Sequence, residues 1–137
     1  MLIEQEKILC GKWLGSGIHR AVYECALNDK WIVKIALGED GRKMNLIEDK
    51  ISYELGECDL KKWFAKVIQV SEAGLLLIME KAEMGRHKDY PKKVPHFFTD
   101  LKYNNYGWIG DRFVCVDYCS TIITNGFTKK MVKANFW

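Results

Sequence analysis

The sequence predicts an α+β fold: a five-stranded antiparallel sheet with one main helix, followed by a smaller segment built on a β-hairpin. Three observations predict it. Between Lys12 and Leu37, short runs of alternating apolar and polar residues are separated by turn residues, Gly15-Ser16-Gly17 and Asn28-Asp29, as in half-buried antiparallel strands. One stretch, Lys43 to Leu55, repeats its apolar residues at helical spacing. Two apolar runs, Tyr106 to Ile109 and Phe113 to Val116, flank Gly110-Asp111, a pair that favours a tight turn with positive φ.

Taken in order, Met1 to Cys10 is a lead-in that becomes strand at its end. A strand from Lys12, a glycine-containing turn, a strand from Ala21 to Leu27 and a third from Trp31 to Leu37 follow. Lys34 stands inside the apolar run Ile32-Val33-Lys34-Ile35. A buried ammonium is costly without a partner, so Lys34 either points to solvent on a polar face or meets an anion. Gly38 to Arg42 reads as a loop. The helix from Lys43 to Leu55 carries an apolar stripe of Leu46, Ile47, Ile51 and Leu55, with Gly56 placed as its C-cap. Glu48 and Glu54 both flank that stripe, and either can face a buried lysine. Phe64 to Val70 and Gly74 to Glu80 read as two more strands joined at Ser71-Glu72-Ala73; the second is apolar almost throughout, as in a strand covered on both faces. Lys81 to Pro95 is polar, holds both prolines and reads as an internal linker. The hairpin then brings Asn105 and Asp117 together at one end, with Asp100 shortly before: oxygen donors of the kind a nucleotide-metal site needs. From Ser120 a short strand or helix ends in Phe136 and Trp137, which are expected to dock on the core.

Composition narrows the classes. At 137 residues with 48% hydrophobic content, the chain is expected to form one domain and is neither disordered nor fibrous. The formal net charge of +3 is mild. The basic residues are scattered apart from clusters at Arg86 to Lys93 and Lys129 to Lys133, each read as solvated surface, so no nucleic-acid partner is expected. Five cysteines without a CxxC pair suggest buried or free thiols in a reducing cytoplasm. The first residues lack the basic and apolar regions of a signal peptide, and no run reaches membrane-spanning length, so a cytoplasmic protein without a membrane partner is expected.

Several of these residues fall in a recognisable order: a glycine loop, a strand lysine, a helix glutamate, an apolar strand ending in Met-Glu, Asp-Leu-Lys-x-x-Asn, then Asp-aromatic. That order resembles the protein-kinase superfamily. The resemblance implies a kinase-like fold on ATP and Mg²⁺: a nucleotide lobe over 1–82, a hinge or linker over 83–95, and over 96–137 a truncated C-lobe stub with the catalytic loop, the metal-binding hairpin and a short tail. Gly15, Ser16, Gly17 and Val22 are similar to the loop that covers the ATP phosphates, and Lys34 to the lysine that holds them, with Glu48 favoured over Glu54 as its partner. Met79 takes the gatekeeper position, and Glu80 to Ala82 offer backbone groups to the adenine. Asp100 is implied as the base that orients the acceptor hydroxyl, Lys102 as the γ-phosphate cation, and Asn105 and Asp117 as metal ligands.

The sequence departs from the family pattern in places. Arg20 replaces the third glycine of the loop and either stiffens the phosphate cover or supplies a further cation. Phe98-Thr99-Asp100 stands where His-Arg-Asp is usual, and Asp117-Tyr118-Cys119 where Asp-Phe-Gly is usual. Only 20 residues follow Asp117, too few for an activation segment and the helices of a large lobe. The expectation is a minimal serine/threonine-type protein kinase of phage or bacterial-effector type, working with a protein partner or as an oligomer. The alternatives are an inactive pseudokinase that binds nucleotide and protein, and a small-molecule phosphotransferase. Lys102 favours protein acceptors over small ones.

Overall fold

The computed structural model describes residues 4–121 and 128–137; positions 1–3 and 122–127, parts of the expected lead-in and tail, lie outside the described residues. The chain forms two compact units, Met1–Glu54 with Lys66–Lys81, and Leu55–Ala65 with Ala82–Trp137.

The first unit is α+β. A short helix α1 (Glu4–Leu9) leads into β1 (Cys10–Ser16), β2 (Arg20–Cys25) and β3 (Trp31–Ala36); then come the main helix α2 (Glu39–Leu55) and strands β4 (Val67–Val70) and β5 (Leu76–Glu80). The five strands make one antiparallel sheet in the order β1-β2-β3-β5-β4. On one face Cys25, Val33 and Ile35 form a buried cluster joined by Leu9, Cys10, Tyr23, Trp31, Leu76 and Ile78. The opposite face carries Ile32, Lys34, Leu77 and Met79, since Ile32 pairs with Met79 and Lys34 with Leu77 and side chains alternate. Burial along β5 alternates too, with Leu77 and Met79 fully buried and Leu76 and Ile78 half-buried, so this strand is not covered equally on both faces as its composition suggested.

Helix α2 differs from expectation in two ways. It starts at Glu39, so the expected loop from Gly38 to Arg42 is mostly helix. Gly41 explains this: a Cβ there would collide with the His19 carbonyl oxygen and crowd Ala36, so the first turn approaches the sheet at a distance only glycine allows. The buried stripe is also not the expected one. Gly41, Asn45, Glu48, Ile51 and Leu55 are buried, while Leu46 and Ile47 are 40% and 42% exposed. Half of the inward face is therefore polar. Gly56, with φ 46°, follows the last helical residue as expected of a C-cap.

The second unit is organised by aromatic rings. Phe64 was expected in a strand with Val67, but β4 is shorter, and Phe64 instead bridges Cys115 while Ala65 N–H donates to the Cys115 carbonyl at 3.0 Å. Its ring lies 5.7, 5.5 and 5.0 Å from those of Phe97, Phe98 and Tyr118, an environment no strand beside Val67 offers. The expected hairpin is present as β7 (Tyr106–Ile109) and β8 (Arg112–Cys115), turning at Gly110 with φ 63°. The linker contains a strand, β6 (Lys93–Pro95), which pairs antiparallel with β9 (Met131–Lys133) from the tail. Phe136 docks as expected, 5.0 to 6.2 Å from Tyr90, Tyr103, Tyr106 and Phe113. Trp137 does not, being 64% exposed. None of the five cysteines forms a disulfide; Cys25 and Cys115 are buried and Cys58 is exposed. Among the described residues no helix is long and apolar enough to cross a membrane.

Candidate functional site

In the first unit the polar face of α2 meets the sheet at Lys34. Lys34 Nζ donates to Glu48 Oε1 at 2.9 Å, with side-chain exposures of 4% and 0%. Between solvent and an anion, Lys34 therefore meets an anion. Glu54 is exposed and its nearest cation is Lys50 at 4.0 Å, so Glu48 is the partner of Lys34. A third residue joins them. Arg20 Nη1 donates to Glu48 Oε1 at 2.6 Å and to Asn45 Oδ1 at 3.0 Å. Asn45 Nδ2 in turn donates to the carbonyls of Gly74 (2.8 Å) and Lys34 (3.4 Å), fastening α2 to the sheet and to the β4–β5 turn.

Alternation explains why Arg20 reaches this cluster. Arg20 pairs with Ala36 and Val22 with Lys34, so Arg20, Val22, Lys34 and Ala36 lie on one face. Sequence reading put Arg20 in the loop as a stiffener or spare cation; its guanidinium is instead committed to Glu48 and Asn45. The available signal was the strand's period of two, counted back from Val22. Burial alone would push the Glu48 carboxyl up, but Lys34 and Arg20, through charge and hydrogen bonds, hold it below the ordinary carboxylate range.

Gly15 lies at the end of β1 opposite Val22, and Gly17 N–H donates to the Arg20 carbonyl at 2.9 Å to close the turn. Neither glycine has positive φ, and a Cβ on either would meet nothing within 4 Å. The fold itself does not require glycine at these positions. Ser16 is exposed and Val22 half-buried. Met79 is fully buried in β5. The amides of Glu80 and Lys81 are spent on the carbonyls of Lys66 and Lys30, both at bonding distance (2.9 and 2.8 Å), so among the expected hinge groups these two donors serve the sheet.

Ala82 belongs to the second unit, as do the remaining candidates. The loop from Asp100 to Asn105 is held at several points. Asn105 Nδ2 and Tyr106 Oη both donate to the Asp100 carbonyl, at 3.1 and 3.0 Å. Tyr90 Oη reaches the carbonyls of Tyr103 and Tyr106 at 2.9 and 2.7 Å. Trp137 brackets the loop through its backbone, its N–H donating to Leu101 O at 2.9 Å and its carbonyl accepting from Tyr103 N–H at 2.8 Å. Lys102, between those two bonds, is exposed and sets its ammonium 5.2 Å from the centre of the Trp137 ring.

Val116 N–H donates to the Asn105 carbonyl at 2.8 Å, so the open end of the hairpin, away from the Gly110 turn, places Asn105 beside the residue before Asp117. Asp100, Asn105 and Asp117 are all half-buried. With Nδ2 of Asn105 used as a donor, Oδ1 is the atom that could hold a cation, and Asp117 could add a carboxylate: hard oxygen donors of the type that suits Mg²⁺. Cys119 Sγ lies 3.4 Å from Asp117 Oδ1. Burial, with Cys115 and Asp100 nearby, pushes the Tyr106 phenol up, so it acts as a neutral donor to the loop.

No family model matches the chain, and no curated protein matches it significantly.

Proposed function

We propose that the chain is a minimal ATP- and Mg²⁺-dependent phosphotransferase of the protein-kinase type, transferring phosphate to a serine or threonine hydroxyl and acting with a protein partner. The observation that carries this reading is the buried Lys34–Glu48 pair, held by a strand and a helix over a five-stranded antiparallel sheet. A fully buried lysine fixed by a carboxylate is an expensive arrangement. It is what a site needs to present one ammonium to phosphate oxygens in a single orientation.

On this reading the first unit is the nucleotide lobe and the second a short form of the catalytic lobe. Gly15 and Gly17 leave room for the phosphates beside the β1–β2 turn. Asp100 orients the acceptor hydroxyl and takes its proton, and Lys102 neutralises charge on the transferred group. Asn105 and Asp117 would hold Mg²⁺, which supplies charge neutralisation on the phosphate oxygens. A second reading, a pseudokinase acting as a nucleotide- and protein-binding module, is favoured by one contact: the Cys119 thiol beside the Asp117 carboxylate, an atom the first reading gives to the metal.

A thermal-shift titration with ATP, with and without Mg²⁺, followed by an assay of γ-phosphate transfer to a generic protein acceptor, separates the readings. Phosphotransfer requires Mg-dependent stabilisation by ATP, and transfer that Asp100→Ala abolishes while nucleotide binding persists. ATP binding without transfer leaves the module reading. No stabilisation by ATP under either condition overturns both.

A further inference from the structure

Two lysine clusters that look like separate solvated surfaces in the sequence come together on one two-stranded ribbon in the structure. Strands β6 and β9 set Lys93 opposite Lys133, Val94 opposite Val132 and Pro95 opposite Met131. Backbone bonds continue the pairing at both ends, from Ala134 N–H to Lys92 O (2.8 Å) and from His96 N–H to Lys130 O (2.9 Å). Lys92, Lys93, Lys129, Lys130 and Lys133 thus crowd one short ribbon, all exposed; side chains alternate, so Lys93 and Lys133 share one face, while Lys92 and Lys130 flank the fully buried Val94 that anchors the other.

The ribbon's charge is not balanced locally. No Asp or Glu occurs from Tyr90 to Thr99 or from Tyr118 to Trp137. Among the described residues the acidic neighbour is Asp59, 3.7 Å from Lys129, with both side chains about four-fifths exposed (80% and 79%), a pairing that contributes little. The unit that carries the ribbon has eleven Lys and Arg against seven Asp and Glu, a formal +4, whereas the other has ten against eleven, or −1. Like charges directly opposite on antiparallel strands are destabilising. A ribbon selected for stability alone would set a carboxylate or threonine against Lys93.

We propose that this ribbon is a docking surface for an acidic protein segment. A strand of three residues spans about 10 Å, the reach of three or four residues of an extended peptide, whose alternate carboxylates recur about every 6.6 Å on one side. The lysines then meet carboxylates that relieve their mutual repulsion. A nucleic acid fits less well: the patch is short against the roughly 1,000 Å² that specific nucleic-acid interfaces bury, and strands β6 and β9 contain neither arginine nor an aromatic side chain to read or stack bases. Docking does not depend on phosphotransfer; if the proposed function holds as well, the surface names an acidic acceptor.

The test uses the full chain without nucleotide and a fluorescein-labelled peptide of alternating glutamate and serine, read by fluorescence anisotropy. Wild type binds in low salt, and Lys93→Ser/Lys133→Ser weakens binding by about tenfold. Lys93→Arg/Lys133→Arg retains it. Because the serine variant loses a repulsion, its thermal midpoint stays level or rises, which separates lost docking from lost folding; if it falls, Lys93→Gln/Lys133→Gln, which keeps the aliphatic stems on the same face, carries the comparison. Lys12→Ser/Lys50→Ser removes the same charge from the other unit and leaves binding unchanged. The proposal is overturned by absent peptide binding, by an equal loss in the Lys12/Lys50 variant, by no loss in either ribbon variant, or by tighter binding of a single-stranded oligothymidine of matched charge.

Discussion

Arg20 and Lys34 share a single oxygen of Glu48, at 2.6 and 2.9 Å, so one carboxylate atom ties β2 and β3 to α2 inside the first unit. Substituting Glu48 by alanine leaves two cations buried without it, and the expected loss of stability is about 3–5 kcal/mol. Arg20→Met keeps the Lys34–Glu48 bond and costs less. Urea unfolding of both variants checks the order; a Glu48→Ala protein as stable as Arg20→Met would show that the carboxylate is not the tie.

The same cluster sets a pH dependence. The Glu48 carboxyl is depressed in the folded protein, so the stability it contributes is complete above its ordinary, unfolded value. That contribution is lost as the pH falls through the lower, folded value. Arg20→Met removes one of the two cations that depress it and so raises the folded value towards the unfolded one, which makes the acid loss smaller and completes it at a higher pH in the variant. Urea midpoints measured from about pH 7 down to about pH 3 record this; coincident wild-type and variant profiles would contradict it.

Gly15 and Gly17 differ from Gly41 in what a methyl group would meet. At the first two there is open space, and at Gly41 the His19 carbonyl and Ala36. Gly15→Ala and Gly17→Ala should change stability by less than about 1 kcal/mol, and Gly41→Ala should cost roughly 1–3 kcal/mol or more. If the loop covers phosphates, the first two substitutions weaken ATP binding without moving the thermal midpoint.

Lys102 and Trp137 form an exposed cation–π pair at 5.2 Å, worth roughly 0.5–1 kcal/mol. A double-mutant cycle of unfolding free energies with Lys102→Met and Trp137→Leu should return a coupling of about that size. Trp137→Phe should keep part of it. Additive effects would mean that the ring supports the loop only through its backbone bonds to Leu101 and Tyr103.

Much of the sheet was legible because its signals are local. Alternation and turn residues located β1, β2, β3, β5 and the hairpin, and Lys34 stood out as a cation in an apolar strand. What escaped depends on contacts between distant residues. Gly38 to Arg42 reads as a loop unless the approach of α2 at Gly41 to His19 and Ala36 is known. Leu46 and Ile47 read as core because hydrophobic spacing cannot anticipate an inward face satisfied by Arg20, Lys34 and the Gly74 carbonyl. Strands β6 and β9 are short and rich in lysine, and each is stabilised by the other, so neither carries a local pattern. Apolar spacing alone leaves Glu48 and Glu54 equivalent; the kinase-like order favours Glu48, and the position of Lys34 beneath the helix decides it.

The position of Phe64 has a consequence for how the molecule is made. The segment Leu55–Ala65 lies between two parts of the first unit in sequence but belongs to the second. Its ring packs at 5.0 Å on Tyr118, and Tyr118 Oη donates to the Ala65 carbonyl at 2.8 Å. No single cut divides the chain into two self-sufficient halves: a fragment ending near Ala82 exposes an aromatic residue with no place to go, and the remainder lacks the centre of its ring cluster. During synthesis the first unit can be completed once β5 has emerged, but Phe64 waits for Tyr118, which makes that interval the stage at which the nascent chain is most open to aggregation.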